Sequence, residues 1–256
     1  MPLQPDIRIS QEAQWANATA ALLRDFGRQA IRLRGRFLLA LSGGSTPQRL
    51  YHALAQPAGT QQAEMDWHRT VFLFGDERCV SPDHPDSNYG MARASLFTPL
   101  GIPREHVHRM SGENPDPLSA ADEYERSLRT ITGCAEPEIP CLDLVLLGLG
   151  EDGHTASLFP GTPALHETHR LVTVGQSPKG VPSRLTLTLG VINRASVVLF
   201  LVTGSTKARI VRRILEPQAA ADRALPAALV TPDQGRLVWM LDQAAASELT
   251  SHNKPI

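Results

Sequence analysis

The sequence predicts an α/β protein built as three layers, α/β/α, in which helices cover both faces of a mostly parallel central sheet. Short apolar strands alternate with segments of helical periodicity along the 256 residues. Two of these strands, 143–147 and 196–202, are apolar at almost every position, which is typical of strands buried on both faces of a parallel sheet. Because no repeat and no long linker interrupts this alternation, we expect one domain over residues 1–256.

The individual elements follow from periodicity, turn residues and helix caps. A long first helix is predicted over 11–34, where apolar residues recur at helical spacing and Gly35 follows. Pro47 suits the first turn of a second helix that ends near residue 55. Residues 75–87, rich in Pro and Asp, are predicted to form a loop. Further helices are predicted at 88–97, 120–132, 205–215 and 243–249, and strands at 37–41, 70–74, 143–147, 170–174, 184–188, 196–202 and 236–240.

Composition indicates a small-molecule protein. The net charge is -1 and no long run of like charge occurs, so nothing suggests nucleic-acid binding or attachment to a membrane. No apolar run approaches the roughly 20 residues that span a bilayer, and the N-terminus does not resemble a secretory signal. Three cysteines without paired metal spacing favour a reducing, cytoplasmic context, and no metal or cofactor is expected. Cys79 lies beside a charged motif and could be a reactive thiol, but the role of a small filler residue is favoured.

The most informative segment is 148–160, Gly-Leu-Gly-Glu-Asp-Gly-His-Thr-Ala-Ser-Leu-Phe-Pro, which follows a buried strand. Its glycines permit a sharp turn and a close approach of backbone to ligand. His154 can exchange a proton near neutral pH, and Asp152 lies two residues before it. A strand-to-helix turn that carries a surface histidine is the alternative.

A second candidate is the turn Ser42-Gly43-Gly44-Ser45-Thr46, which joins a predicted strand to a helix N-terminus. Free backbone N–H groups and the positive end of the helix dipole favour an anion there. The alternative is an ordinary helix start, with Ser45 or Thr46 as N-cap.

The third candidate is Asp76-Glu77-Arg78, three ionisable residues directly after a strand. Arg78 could bind a carboxylate, a phosphate or a developing oxyanion, and the carboxylates could hold Arg78 or sugar hydroxyls. The alternative is a charged turn exposed to solvent, which would contain the same residue types.

Two further cations lie at strand ends: Arg184 opens a strand, and Lys207 follows the strand 196–202 in Thr-Gly-Ser-Thr-Lys. Each could be an ordinary surface charge. However, the carboxyl ends of parallel strands share one edge of a sheet, so the turns that follow four of the strands together predict a pocket for a phosphorylated polyol, with Arg184 and Lys207 holding the phosphate.

In this order, the motifs resemble those of the 6-phosphogluconolactonase family and, more widely, of the glucosamine-6-phosphate isomerase/deaminase superfamily. The resemblance covers about residues 10 to 250, and segment 148–160 is its most specific part. Deaminases look similar up to Asp-Gly-His but continue with Ile-Ala-Phe-Asn-Glu-Pro, and they tend to have Asp-Glu-Tyr where this chain has Asp76-Glu77-Arg78. Ser81, where family members often have proline, is a departure that concerns only the rigidity of its loop.

The resemblance implies metal-independent hydrolysis of 6-phosphoglucono-δ-lactone in the oxidative pentose phosphate pathway. It implies that His154 acts as general base on water, that Asp152 orients His154 and that Arg78 stabilises the oxyanion. The residues implied to hold the phosphate and sugar are Gly43, Gly44, Ser45, Thr46, Asp76, Glu77, Arg184 and Lys207.

Two other functions stay open at this point. One is isomerisation and deamination of an amino-sugar phosphate, against which Leu158-Phe159 argues because deaminases have Asn-Glu there. The other is a non-catalytic sugar-phosphate sensor, although the first 35 residues predict one long helix and not a helix-turn-helix. A monomer or a small homo-oligomer is expected.

Overall fold

The structure, a computed structural model, describes residues 4–57 and 65–250. Its strands are β1 Asp6–Ser10, β2 Phe37–Leu41, β3 Thr70–Phe74, β4 Asp76–Arg78, β5 Leu144–Leu147, β6 Val172–Gln176, β7 Ser183–Leu187, β8 Val197–Val202 and β9 Arg236–Asp242. Six of them form a sheet in the order β1-β9-β8-β5-β2-β3, and every neighbouring pair in it is parallel.

Helices flank this sheet, as the predicted three-layer architecture requires. They are α1 Glu12–Arg34, α2 Ser45–Leu54, α3 Asn88–Ala92, α4 Thr98–Leu100, α5 Pro117–Thr132, α6 Leu189–Asn193, α7 Ala208–Leu215 and α8 Ala220–Arg223. Every residue of β2, β5 and β8 is buried, which requires cover on both faces of the sheet. Within the described ranges, no helix is both long enough and apolar enough to span a bilayer.

The strand order contains a topological switch between β2 and β5. From β2 the chain continues to β3 on one side, and the later strands β5, β8 and β9 are added on the other side. In open parallel sheets such a switch leaves a crevice outside the carboxyl ends of the two strands, because their connections leave in opposite directions. The turns after β2 and β5 both lie at this crevice.

A second, three-stranded antiparallel sheet has the order β4-β7-β6. Residues 76–78, which we expected in a loop, form β4, and the strands expected at 170–174 and 184–188 belong to this sheet and not to the parallel one. The chain passes between the sheets at Gly75, whose N–H donates to Leu41 and whose carbonyl accepts from Leu187, both at 2.8 Å. This pairing joins segments about a hundred residues apart, so local patterns did not reveal it.

Three other elements differ from the prediction. Strand β1 was missed; it pairs with β9 at the sheet edge. The helix expected at 88–97 continues through a π-helical turn, Arg93–Phe97, into α4. The helix expected at 243–249 is instead a series of tight turns, with hydrogen bonds from the N–H of Ser247 to Ala244 and from that of Leu249 to Ala246.

Candidate active site

A cleft of about 260 Å³ lies at the carboxyl ends of β2, β5 and β8, where the topological switch places a crevice. All the residues predicted for the site line it, except Asp152 and Glu77. The lining residues used below are Gly43, Gly44, Ser45, Thr46, Asp76, Arg78, Asn88, His154, Arg184, Thr203 and Lys207.

The turn after β2 brings backbone to the cleft wall. Gly44, with φ of 103°, is the N-cap of α2, so the alternative that Ser45 or Thr46 caps the helix is wrong. The Thr46 hydroxyl lies 3.0 Å from that of Thr203 and joins this turn to the turn after β8. A Cβ on Gly43 would lie 1.8 Å from Oδ1 of Asn88, so only glycine lets the two segments meet.

The turn after β5 holds one ring nitrogen of the His154 imidazole. Nδ1 lies 2.5 Å from Oδ1 of Asp152, which also accepts the backbone N–H of His154 at 3.1 Å. Because Nδ1 is engaged, the free ring nitrogen is Nε2, which has no hydrogen-bond partner among the described residues. A Cβ on Gly150 would lie 2.0 Å from Nδ1, so the imidazole can occupy this place only above a glycine.

Asp152 lies behind His154 and lines an adjoining cavity of about 550 Å³, which His154, Arg184 and Lys207 also line. Burial alone would raise the pKa of Asp152, but the hydrogen bonds from His154 outweigh it and hold the pKa below its ordinary value. Asp152 therefore remains an anion that can orient the imidazole and stabilise its protonated form.

Three cations line the cleft: Arg78, Arg184 and Lys207. Arg78 and Arg184 are opposite each other across the β4–β7 pair, and no ion pair of the described residues includes any of the three. Burial, followed by the like charge of Arg78, lowers the pKa of Arg184. Neighbouring cations without carboxylate partners favour the binding of an anion between them.

Asp76 and Glu77 are neighbours with different positions. Asp76 reaches the cleft, where its carboxylate accepts from Ser157 Oγ at 2.6 Å and from Asn88 Nδ2 at 3.2 Å. Glu77 does not line the cleft. Its buried carboxylate accepts from the Ser87 hydroxyl and from the backbone N–H groups of residues 78, 88 and 89.

The difference follows from the strand, since successive side chains of β4 point to opposite faces. Burial raises the pKa of Glu77 in spite of these hydrogen bonds. The expectation that Glu77 contacts substrate therefore does not match its position; it anchors the start of α3.

The structure adds Asn88 and Ser157 to the predicted set, because both hold Asp76. Ser157 belongs to segment 148–160 and Asn88 begins the helix predicted at 88–97, but their role depends on a long-range contact that the sequence does not display. Cys79 does not line the cleft, and burial raises the pKa of its thiol. Over the described residues, no group of three or more His, Cys, Asp or Glu side chains is arranged to hold a metal ion.

Comparison with known proteins identifies the family. Residues 10–239 match the family model described as glucosamine-6-phosphate isomerases/6-phosphogluconolactonase. The chain belongs to this family. A family member from Nostoc sp., named 6-phosphogluconolactonase, is 45% identical over 221 residues, which is 86% of this chain and 88% of that protein.

A second relative and a solved structure support the same family. The Homo sapiens protein named 6-phosphogluconolactonase is 44% identical over 221 residues, 85% of this chain and 82% of its own length. The solved structure of 6-phosphogluconolactonase from Trypanosoma cruzi has a TM-score of 0.84 and 32% identity, and the match covers 98% of each chain. The family therefore accounts for nearly the whole chain, and the three-layer fold is confirmed.

Proposed function

We propose that this protein hydrolyses 6-phosphoglucono-δ-lactone to 6-phosphogluconate, with His154 as general base and without a metal ion. The family relatives named 6-phosphogluconolactonase support the reaction. The observation that carries the mechanism is the imidazole of His154, held by Asp152 at 2.5 Å, on the wall of a cleft that also contains three cations without carboxylate partners.

In this mechanism Nε2 of His154 removes a proton from a water molecule, whose oxygen attacks the lactone carbonyl carbon C1. The carbonyl electrons move to oxygen, and Arg78 stabilises the resulting oxyanion. When the carbonyl re-forms, the bond from C1 to the ring oxygen breaks and protonated His154 returns the proton to that oxygen. The product carries a carboxylic acid at C1 and a free hydroxyl at C5. One water molecule is consumed in each turnover, and no other reactant is needed.

The rest of the cleft binds the substrate. Arg184 and Lys207 provide positive charge for the phosphate, and the exposed N-terminal turn of α2, residues 44–46, provides hydrogen-bond donors for it. Asp76 accepts hydrogen bonds from sugar hydroxyls. A six-membered lactone is an activated ester, so water attack needs no covalent nucleophile, and a metal ion is not needed to polarise the carbonyl beside Arg78.

The test is a coupled assay in which glucose-6-phosphate dehydrogenase generates the lactone and the formation of 6-phosphogluconate is followed against the spontaneous rate. We expect acceleration that persists after treatment with a chelator. Loss of activity on chelation would overturn the metal-independent mechanism alone. A rate equal to the spontaneous one would overturn the proposed function. Ammonia release from glucosamine 6-phosphate would instead indicate the deaminase reaction.

A further inference from the structure

The ring of Phe159 contacts both the candidate base and one of the anion-binding cations. Its centroid lies 4.3 Å from that of the His154 imidazole, with 32° between the planes, and 5.7 Å from Cζ of Arg184. Phe159 is only 3% exposed and borders the cavity that adjoins the cleft. A single aromatic side chain therefore lies between two groups whose proposed roles are chemically distinct.

The backbone around Phe159 is held on both sides. Before it, the Thr155 hydroxyl donates to Gly148 at 2.8 Å, and the N–H of Ser157 donates to the Thr186 hydroxyl at 3.2 Å. After it, the Thr162 hydroxyl donates to the carbonyl of Phe159 at 2.9 Å. The ring is thus attached to the turn after β5 and to β7, the two elements that carry His154 and Arg184.

Neither partner is fully fixed without this ring. The His154 side chain has one hydrogen bond, to a carboxylate that is 43% exposed, and such a bond leaves the ring free to tilt about it. Arg184 donates to two loop carbonyls, at Val181 and Lys179, but has no carboxylate partner among the described ion pairs. Aromatic faces stabilise both kinds of neighbour, through ring stacking and through cation–π attraction.

We propose that Phe159 is a positioning residue that aligns the base with the phosphate-binding cation. It sets the tilt of the His154 imidazole and the direction of the Arg184 guanidinium, so that both ends of one substrate are engaged together. This role rests on the proposed lactonase function. It predicts that the loss of one ring impairs turnover and substrate binding through two separate contacts.

The first experiment compares kcat and KM of wild type with those of Phe159→Leu. We expect kcat to fall about tenfold, because small misplacements of a base are costly, and KM to rise about fivefold through the lost cation–π contact. Phe159→Met, which fills a similar volume, serves as a second variant if the first does not fold. Phe159→Tyr, which keeps the ring, is expected to restore both constants.

The matched control is Phe37→Leu, because Phe37 is completely buried at the start of β2 and does not border the cleft. It is expected to lower the melting temperature without changing kcat or KM. If the two leucine variants change only stability, or if Phe159→Tyr loses as much activity as Phe159→Leu, Phe159 is simply a core residue and the proposal is wrong.

A double-mutant cycle separates the two contacts. In an Arg184→Gln background, Phe159→Leu should leave KM unchanged, because the cation that the ring supports is already absent, but it should still lower kcat. An undiminished effect on KM in that background would overturn the coupling to Arg184. An undiminished kcat would overturn the coupling to His154.

Two measurements do not depend on lactonase activity. Nuclear Overhauser contacts from the ring protons of His154, which are assigned by their loss in His154→Gln, should change in Phe159→Leu and not in Phe159→Tyr or Phe37→Leu; such a change reports a new orientation and not only the loss of a ring current. The affinity for inorganic phosphate, measured by calorimetry, should fall about fivefold in Phe159→Leu. If wild type shows no lactonase activity but both changes occur, the proposed function fails, and what stands is that the Phe159 ring orients His154 and Arg184. If either change is absent, the coupling of Phe159 to that partner, and with it the proposal, is overturned.

Discussion

The two sheets contribute different parts of the site. The parallel sheet contributes turns: Gly43–Thr46 after β2, Gly148–His154 after β5 and the Gly204–Lys207 turn after β8. The antiparallel sheet contributes side chains from within its strands: Asp76 and Arg78 on β4, and Arg184 on β7. The proposed base thus belongs to a tightly bonded glycine turn, and two of the three cations belong to paired strands.

This difference means that the proposed base and Lys207 depend on turns of the parallel sheet, whereas Arg78 and Arg184 depend on paired strands of the antiparallel sheet. A change in the turn after β5 should affect the chemical step, and a change in β7 should affect binding of the substrate's phosphate. The two sheets meet at Gly75 and at Ser157, whose hydroxyl donates to Asp76. Variants in the turns of the parallel sheet and variants in the strands of the antiparallel sheet can therefore be compared by measuring their kcat and KM.

The largest effect is expected for His154→Ala. Removing the general base should lower kcat roughly a thousandfold while KM stays within about threefold of wild type. His52→Ala is a suitable control, because His52 is exposed on α2 and does not line the cleft. A His154→Ala enzyme with nearly normal kcat would remove the base from the mechanism.

The next effect is a loss of stability on substitution of Glu77, which, unlike its neighbour Asp76, does not line the cleft. Glu77→Gln replaces one oxygen that accepts hydrogen bonds with an NH₂ group facing N–H donors, and it should lower the free energy of unfolding by about 2 kcal/mol. Denaturant unfolding measures this loss, with the exposed Glu123→Gln as control. Unchanged stability would mean that the buried carboxylate does not anchor α3.

Binding variants should have a smaller and different effect. Arg184→Gln and Lys207→Met should each raise KM for the lactone about tenfold and change kcat little, since each removes one charge-assisted contact to the phosphate. Arg209→Gln, on the exposed side of α7, supplies the control. If kcat falls and KM stays constant in both variants, the assignment of Arg184 and Lys207 to phosphate binding is wrong.

The smallest expected effect is a pH dependence of stability. The pKa of Asp152 is lowered in the folded protein, so the stability it contributes is present above the pKa of the unfolded chain, about 3.9, and is lost as the pH falls through the folded value. The stability difference between wild type and Asp152→Asn should therefore be larger near about pH 7 than near about pH 3. Asp233→Asn, an exposed position, should show no such change; a pH-independent difference for Asp152→Asn would contradict the assignment.

The parts of the site that depend on local sequence were predictable, and those that depend on pairing were not. Glycine-rich turns after apolar strands indicated the positions of Gly43 and His154, because both signals lie within a few residues. The antiparallel sheet was missed because β4 is only three residues long and its partner is far along the chain. For the same reason the sequence could not separate Asp76 from Glu77, whose positions depend on which face of β4 meets the cleft.

The segment 243–249 has a composition that favours a helix, but it forms tight turns, such as that closed by the N–H of Leu249 and the carbonyl of Ala246. The carboxylate of Asp242 accepts from the N–H of Ala245, as a helix N-cap does, so no local signal reveals the difference. Propensity is a weak guide for so short a segment.

The most direct test of the account is a crystal structure of the complex with 6-phosphogluconate. We predict that the phosphate contacts Arg184 and Lys207, and that the carboxylate carbon lies beside His154 with an oxygen within about 3.2 Å of Nε2. A complex with the phosphate beside His154 and the carboxylate among the cations, or with the imidazole turned away from the ligand, would contradict it.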